Sequence, residues 1–253
     1  MFDFLQSYFQ SAFTDTCGCV STVADLFVRA FGENDERIIF LLLAAVASVI
    51  AYGIHEFGHA WMADKLGDPQ PRKDGRVTLA PWGHIDPLGF LVTIASSLIG
   101  FPLGWGKPLR TDPETYSVPR KTGIILVALA GPVMSFLGAV AVSFPARFLL
   151  AYLQENGNNL DPWLAITLVV TCLVMIFTVL ISVSLFVSNL LPLSPMDGAH
   201  VVAALLPADL SLVYVRLMKR YGMYIFFALT ASNVLSDFLA PIIIKLFLFL
   251  MGL

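Results

Sequence analysis

Long apolar runs separated by short polar stretches dominate the chain. A membrane-spanning helix needs about 20 apolar residues, and three runs clearly meet that length: residues 38–63, 122–153 and 163–191. A fourth run, residues 221–253, is predicted to form one long or broken span, with Asp237, Pro241 and Lys245 marking the break. The pattern predicts an all-α polytopic membrane protein with about four to six transmembrane helices.

The stretch between the first two long runs has a different pattern. Residues 75–79, GRVTL, have strand-forming side chains bounded by glycine and proline. Residues 88–105 are apolar but short, and glycine and proline interrupt them. We therefore expect a small β-hairpin and a re-entrant element after the first core helix.

The two ends of the chain differ in character. Residues 1–37 carry Phe and Leu at roughly helical spacing, which is typical of an interfacial amphipathic segment. Residues 38–253 are interpreted as a single membrane-embedded domain, with a catalytic core over residues 38–200.

Composition and charge support a membrane protein and suggest its orientation. The chain is 57% hydrophobic and 13% charged, whereas soluble domains average about 25% charged residues. Its net charge of −3 gives no case for nucleic acid as a partner. Residues 64–121 contain eight Lys and Arg, and residues 154–162 contain none, which places the former in the cytoplasm.

The first long run carries three ionisable side chains in the sequence HEFGH. His55 and His59 are four residues apart, so their imidazoles project from one face of a helix, with Glu56 beside them. This spacing suits two nitrogen ligands of one Zn²⁺ and a carboxylate that acts as a general base. The alternative is a pair of histidines that only form hydrogen bonds between helices.

A third metal ligand must come from elsewhere in the chain. Asp197 follows the cytoplasmic end of the run 163–191, and the two histidines lie in the cytoplasmic half of the first helix. Pro192 and Pro195 break the helix before it, so Asp197 can turn back to the same depth. Spacing alone leaves open that Asp197 is a solvated loop carboxylate.

Several motifs together resemble the site-2 protease family of intramembrane zinc metalloproteases. They occur in that family's order, across residues 38–200, and read HEFGH, GRVTLAPWGHIDPLG, GWGKP, ALAGPVMS and NLLPLSPMDG. The resemblance implies one Zn²⁺ per chain held by His55, His59 and Asp197, with Glu56 as the catalytic acid and base. It also implies that Asn189 helps to bind substrate or to stabilise the oxyanion.

The resemblance also carries expectations about substrate and location. It implies hydrolysis of peptide bonds within or near transmembrane segments of other membrane proteins, in a bacterial plasma membrane, with the active site toward the cytoplasm. No stretch is long and polar enough for a PDZ or CBS domain. We therefore expect a compact family member that is regulated, if at all, by a membrane partner.

Three further residues are candidates for supporting roles. Ser135 stands in ALAGPVMS where the family has Asn, and its shorter reach puts a substrate-binding role in doubt. His84 matches a family position and is interpreted as structural. His200, three residues after Asp197, is a candidate to turn toward the metal or to anchor the carboxylate.

Two other functions fit the same residues. A metal transporter or channel would use His55, His59 and Asp197 as a transit site, and it would not need Glu56 as a base. A catalytically silent homologue would bind membrane helices without cleaving them. Replacing Glu56 while the metal stays bound separates an enzyme from a transporter, because cleavage would vanish and transport would persist. The complete ligand set argues against the silent homologue.

Overall fold

The computed structural model describes residues 36–84, 86, 91, 107 and 109–253. Seven α-helices have their bounds within this part of the chain. They are α1 (Glu36–Lys65), α2 (Gln70–Lys73), α3 (Arg120–Asn156), α4 (Pro162–Asn189), α5 (Gly198–Leu205), α6 (Ala208–Ala231) and α7 (Val234–Met251). No strand occurs among the described residues, and the prediction of an all-α protein is confirmed.

Four of these helices are long and apolar enough to cross a membrane. Within the described residues, the qualifying stretches are Leu42–Lys65 of α1 and the whole of α3, α4 and α7. Helices suit this role because each backbone N–H and C=O finds a partner within its own segment. The chain therefore has the architecture of an integral membrane protein.

Local sequence explains where the spanning helices begin and why they continue. The carboxylate of Asp161 accepts hydrogen bonds from the N–H groups of Trp163 and Leu164, at 3.0 and 3.3 Å, and so caps α4. α3 continues through Pro132 and Pro145, because prolines are tolerated in transmembrane helices whose neighbours satisfy the freed backbone groups.

The C-terminal apolar run is divided earlier than the sequence suggested. α6 ends at Ala231, and Asn233 adopts a left-handed backbone conformation with φ of 61° before α7 begins. Asparagine tolerates this conformation better than most residues. Asp237 and Pro241, which were expected to mark the break, lie inside α7.

Helices α1, α3 and α4 contact one another pairwise and form the centre of the molecule. Their shared core is apolar and includes Ala47, Ala139, Val179 and Val183, all fully buried. Glycines bring α1 and α3 still closer, because a Cβ on Gly58 would lie 2.5 Å from the carbonyl oxygen of Ala130. Small residues at such interfaces let transmembrane helices pack backbone to backbone.

The predicted β-hairpin after the first helix is not supported. Residue 75 closes a turn, and residues 77–79 form bends that lead into a short 3-10 turn. Side chains, and not a neighbouring strand, bond the carbonyls here: Arg76 donates to Gly83 O at 2.7 Å, and His84 Nε2 donates to Thr78 O, also at 2.7 Å. These local bonds override the strand propensity of the sequence.

Two other predictions fall outside the described residues. These are the interfacial segment 1–37, except for its last two positions, and the re-entrant element 88–105, except for Leu91. Both stay predictions.

Candidate metal centre

Three side chains from two distant parts of the chain meet at one point. His55 Nε2 lies 3.2 Å from His59 Nε2, and Asp197 Oδ2 lies 3.2 Å from the first nitrogen and 3.3 Å from the second. The three atoms form a nearly equilateral triangle. Among the described residues, this is the group of side chains with the composition and spacing of a metal site.

Helix geometry supplies the two histidines. They stand one turn apart on α1, and their rings meet edge to face with centroids 4.8 Å apart. Gly131 of α3 makes room for them, because a Cβ at that position would collide with the His59 ring.

The turn between α4 and α5 supplies Asp197. The turn can fold this tightly only with glycine at position 198, since a Cβ there would collide with the carbonyl oxygens of Leu190 and Leu191. α6 supports the turn from outside: Tyr214 donates its hydroxyl hydrogen to Pro192 O at 2.8 Å, and Gly222 packs closely against Ser194.

Hydrogen bonds on the far side of each ring decide which nitrogen faces the triangle. His59 Nδ1 lies 2.7 Å from the carbonyl oxygen of Val127. A carbonyl only accepts, so Nδ1 carries the hydrogen and Nε2 presents a lone pair. His55 Nδ1 lies 2.9 Å from Ser135 Oγ, which is fully buried and is assigned as the acceptor in the same arrangement.

With His55 in this assigned tautomer, the triangle consists of three electron-pair donors that face one another without a hydrogen between them. Such a cluster repels itself unless a cation sits among the donors. Zn²⁺ with tetrahedral ligands at about 2.0–2.1 Å requires ligand atoms about 3.3–3.4 Å apart, close to the measured separations of 3.2–3.3 Å. The residues present fit a zinc ion.

Asp197 completes the donor set with a buried oxygen. Its Oδ2 has no hydrogen-bond partner among the described residues, as expected of an atom that faces two nitrogen lone pairs and no hydrogen. A cation bound among the three donors would satisfy it.

Glu56 lies beside the triangle and faces a buried arginine. Its side chain is 24% exposed, and its Oε2 lies 3.2 Å from Nη2 of Arg76, whose side chain is only 1% exposed. Burial lowers the pKa of Arg76, and the nearby charge of Glu56 opposes that shift. Arg76 is one of the eight Lys and Arg in residues 64–121, and its burial was not predicted from the sequence.

The remaining predicted residues are not among the three donors. His84 is buried, and its Nε2 bonds within the turn after α2, consistent with a structural role. His200 is exposed and lies outside the donor group. Asn189 is the last residue of α4 and donates to Leu185 O at 3.0 Å. Ser135 contacts His55 from a fully buried position.

Sequence reasoning missed Arg76, the carbonyl of Val127 and the space at Gly131. Every residue has a backbone carbonyl, so the sequence does not show which one bonds His59. Gly131 and Arg76 do stand inside the motifs ALAGPVMS and GRVTLAPWGHIDPLG, but their pattern does not say which side chains they contact.

Comparison with known proteins supports a zinc enzyme. A protein of Bacillus subtilis (strain 168) with the name "Putative zinc metalloprotease YwhC" is 31% identical over 200 residues, which cover 78% of this chain and 84% of that protein. No family model and no solved structure matches the chain. The identity extends over most of both chains and agrees with the donor set found here. The chain therefore belongs to the site-2 protease-like family of zinc metalloproteases.

Proposed function

We propose that this protein is an intramembrane zinc endopeptidase that hydrolyses peptide bonds within or near transmembrane segments of other membrane proteins. One observation carries the proposal: three electron-pair donors, spaced for a tetrahedral ion, lie beside a partly exposed glutamate on a helix able to span a membrane. A metal site that only stabilised the fold would be closed by four protein ligands.

The depth of the site supports cleavage within the bilayer. His59 lies six residues before Lys65, the end of α1, which corresponds to a rise of about 9 Å. Asp197 comes soon after the end of α4. In a helix that spans the bilayer, the centre would lie in the leaflet next to the cation-rich residues 64–121, which supports the proposal of a site on the cytoplasmic side of a bacterial plasma membrane.

The chemistry assigns separate tasks to the residues of the site. His55, His59 and Asp197 would hold Zn²⁺, which when bound would supply a Lewis acid for water and for the scissile carbonyl. Glu56 accepts the proton of the attacking water and passes it to the amine of the departing peptide. Val127 and Ser135 keep the two imidazoles in the tautomer that binds the metal.

The proposed substrate is a transmembrane helix that unwinds locally. A helix hides its peptide bonds, so the bond to be cut must leave the helical conformation before Glu56 and a water can reach it. We propose that this substrate helix reaches the site from the lipid. We also propose that another membrane protein regulates the cleavage.

The test uses purified protein in detergent and two probes. One is fluorophore-labelled casein, which needs no unwinding, and the other is a designed Leu/Ala peptide of one span with a central glycine and a fluorophore–quencher pair. Wild type should cut the span peptide inside its apolar stretch, as mass spectrometry of the products would show. Cleavage of casein alone would leave a metalloprotease without the intramembrane specificity.

Two variants complete the test. Glu56→Gln should keep the wild-type zinc content and lose activity by roughly 10²–10⁴-fold, the usual contribution of a general base. Asp197→Ala should lose zinc and activity together. If Glu56→Gln cleaves as fast as wild type, Glu56 is not the base. If that variant instead carries Zn²⁺ across proteoliposomes as wild type does, a metal transporter is the better reading.

A further inference from the structure

We propose that Arg76 is a positioning residue that holds the Glu56 carboxylate in its reactive orientation. This inference rests on the proposed function, because it concerns the general base of that reaction. Arg76 is 20 residues away in sequence and contacts none of the three proposed metal ligands in the described structure.

The burial of the Arg76 guanidinium has a free-energy cost that some interaction must offset. Removing an arginine from water costs several kcal/mol unless an anion and hydrogen-bond acceptors compensate. Arg76 is 1% exposed, and its Nε is buried without a hydrogen-bond partner among the described residues. A neutral side chain could donate hydrogen bonds to the same backbone carbonyls with a smaller desolvation free energy. The positive charge is explained by the carboxylate of Glu56.

The guanidinium is itself held firmly. Nη1 donates to Gly83 O at 2.7 Å, and Nη2 donates to Lys107 O at 2.6 Å. These acceptors are linked to each other, since Lys107 N donates to His84 O at 2.9 Å. Arg76 is thus anchored at two points on chain segments outside α1, and only its contact with Glu56 reaches that helix among these bonds.

The contact constrains one oxygen of the carboxylate. Arg76 Nη2 approaches Oε2 of Glu56 at 3.2 Å, so Oε1 is not engaged by the arginine. Glu56 is partly exposed and has three rotatable bonds, so without this contact its carboxylate would sample several rotamers. Fixing one oxygen limits where the other can accept a proton. Misplacement of a catalytic group by about 1 Å can cost roughly 10²-fold in rate.

Arg72 offers a matched control. It lies four residues earlier and also pairs with a carboxylate of α1, donating to both oxygens of Asp64 at 2.8 and 2.7 Å. Arg72 is exposed, and Asp64 lies two turns beyond Glu56 on the same helix. Arg72→Ala therefore removes an arginine–carboxylate pair from the same two segments without touching Glu56.

The kinetic test measures cleavage of labelled casein by metal-loaded variants. We expect Arg76→Ala to keep the wild-type zinc content and a KM within about twofold, and to lose kcat by roughly 10²-fold. Methylguanidinium should restore part of that kcat. Arg76→Lys should lose less, because it keeps the charge but not the planar fork. Arg72→Ala should match wild type, with or without methylguanidinium.

A second measurement does not depend on activity. Melting temperatures of the metal-free protein are compared for Glu56→Gln, Arg76→Ala and the double variant. Coupled residues give non-additive changes, so Arg76→Ala should lower the melting temperature less in the Glu56→Gln background than in wild type. Arg72→Ala should be additive with Glu56→Gln.

The outcomes separate the two proposals. If wild type cuts neither casein nor the span peptide, the proposed function fails. If wild type is active and Arg76→Ala keeps the wild-type kcat, or loses zinc in step with kcat, the positioning role is wrong. Additive melting temperatures would also overturn it. If Arg76→Ala does not fold, Arg76→Lys is held to the same criteria: a loss of kcat at constant zinc supports the role, and an unchanged kcat overturns it.

Discussion

The two halves of the interface between α1 and α3 are both buried, but they are built from different residues. One half belongs to the apolar core, with Ala47 on α1 and Ala139 and Ala146 on α3, all fully buried. The other half contains two imidazoles of α1 and, on α3, Gly131 and Ser135. Alanine in the first half fills space, whereas glycine and serine in the second half provide space and hydrogen bonds.

A membrane helix can carry polar side chains when the helix that faces it supplies their hydrogen-bond partners. Unsatisfied polar groups are costly within a bilayer, and each imidazole has a partner for its Nδ1 on the facing helix. The partner helix therefore does as much as α1 to make the HEFGH motif acceptable.

The largest effect is expected from filling the space beside His59. Gly131→Ala places a methyl group where the imidazole ring lies, so His59 must leave its position and zinc affinity should fall by more than about 100-fold. Gly138→Ala is the matched control two turns along α3, where the methyl group meets Ile54 instead. Isothermal titration with Zn²⁺ measures both. Wild-type zinc affinity in Gly131→Ala would contradict this prediction, because it would show that the interface accepts a methyl group without displacing His59.

A smaller effect is expected from removing the partner of His55. Ser135→Ala deletes the group that bonds Nδ1, and loss of such an outer contact typically weakens metal binding by about 10–100-fold. Ser143→Ala, in the apolar half of the same helix, deletes a hydroxyl that donates to Val140 O and to no other described residue, and it should leave zinc affinity unchanged. Equal affinities for the two variants would contradict the proposed role of Ser135.

Overpacking the apolar half should affect stability and not metal binding. Ala139→Leu introduces volume at a fully buried position and should cost about 1–3 kcal/mol of stability. Thermal melting in detergent measures the loss, and zinc titration of the folded variant should give the wild-type affinity. A fall in affinity as large as that of Ser135→Ala would mean that the two halves are not independent.

The smallest effect is expected outside both halves, at His84. Burial lowers the pKa of its imidazole, and the bond to Thr78 only partly opposes this. The folded protein thus favours the neutral ring, so stability is lost as pH falls below about 6.5, the usual pKa of histidine, and is unaffected above it. Melting curves of metal-free wild type and His84→Gln, compared from pH 7.5 to 5.5, should diverge only at the acid end. Parallel curves would contradict this assignment.

Patterns that repeat at short range predicted much of the fold and of the centre. Apolar runs of sufficient length identified α1, α3 and α4, and the spacing of His55 and His59 placed both on one helical face. Topology made Asp197 a candidate third ligand, since proline breaks the chain after a spanning helix, but spacing alone left open a solvated loop carboxylate, and only the family resemblance favoured the ligand role. In each case local rules and the final structure agree.

Local sequence patterns could not predict the contacts between side chains that are far apart in the sequence. Ser135 is 80 residues from His55, and Arg76 is 20 residues from Glu56. The strand prediction for residues 75–79 failed for a related reason. Val77, Thr78 and Leu79 favour strands in isolation, but the side chains of Arg76 and His84 bond the backbone of this turn.

The separation of the ligands along the chain gives the order in which the centre is completed during synthesis. His59 and Asp197 are 138 positions apart, with α3 and α4 between them. At roughly 5–20 residues per second, the ribosome needs on the order of 7–28 s to reach the third ligand after the second. Until then the nascent chain holds only two of the three side chains of the candidate metal centre, so that centre can be completed only after α3 and α4 have been made.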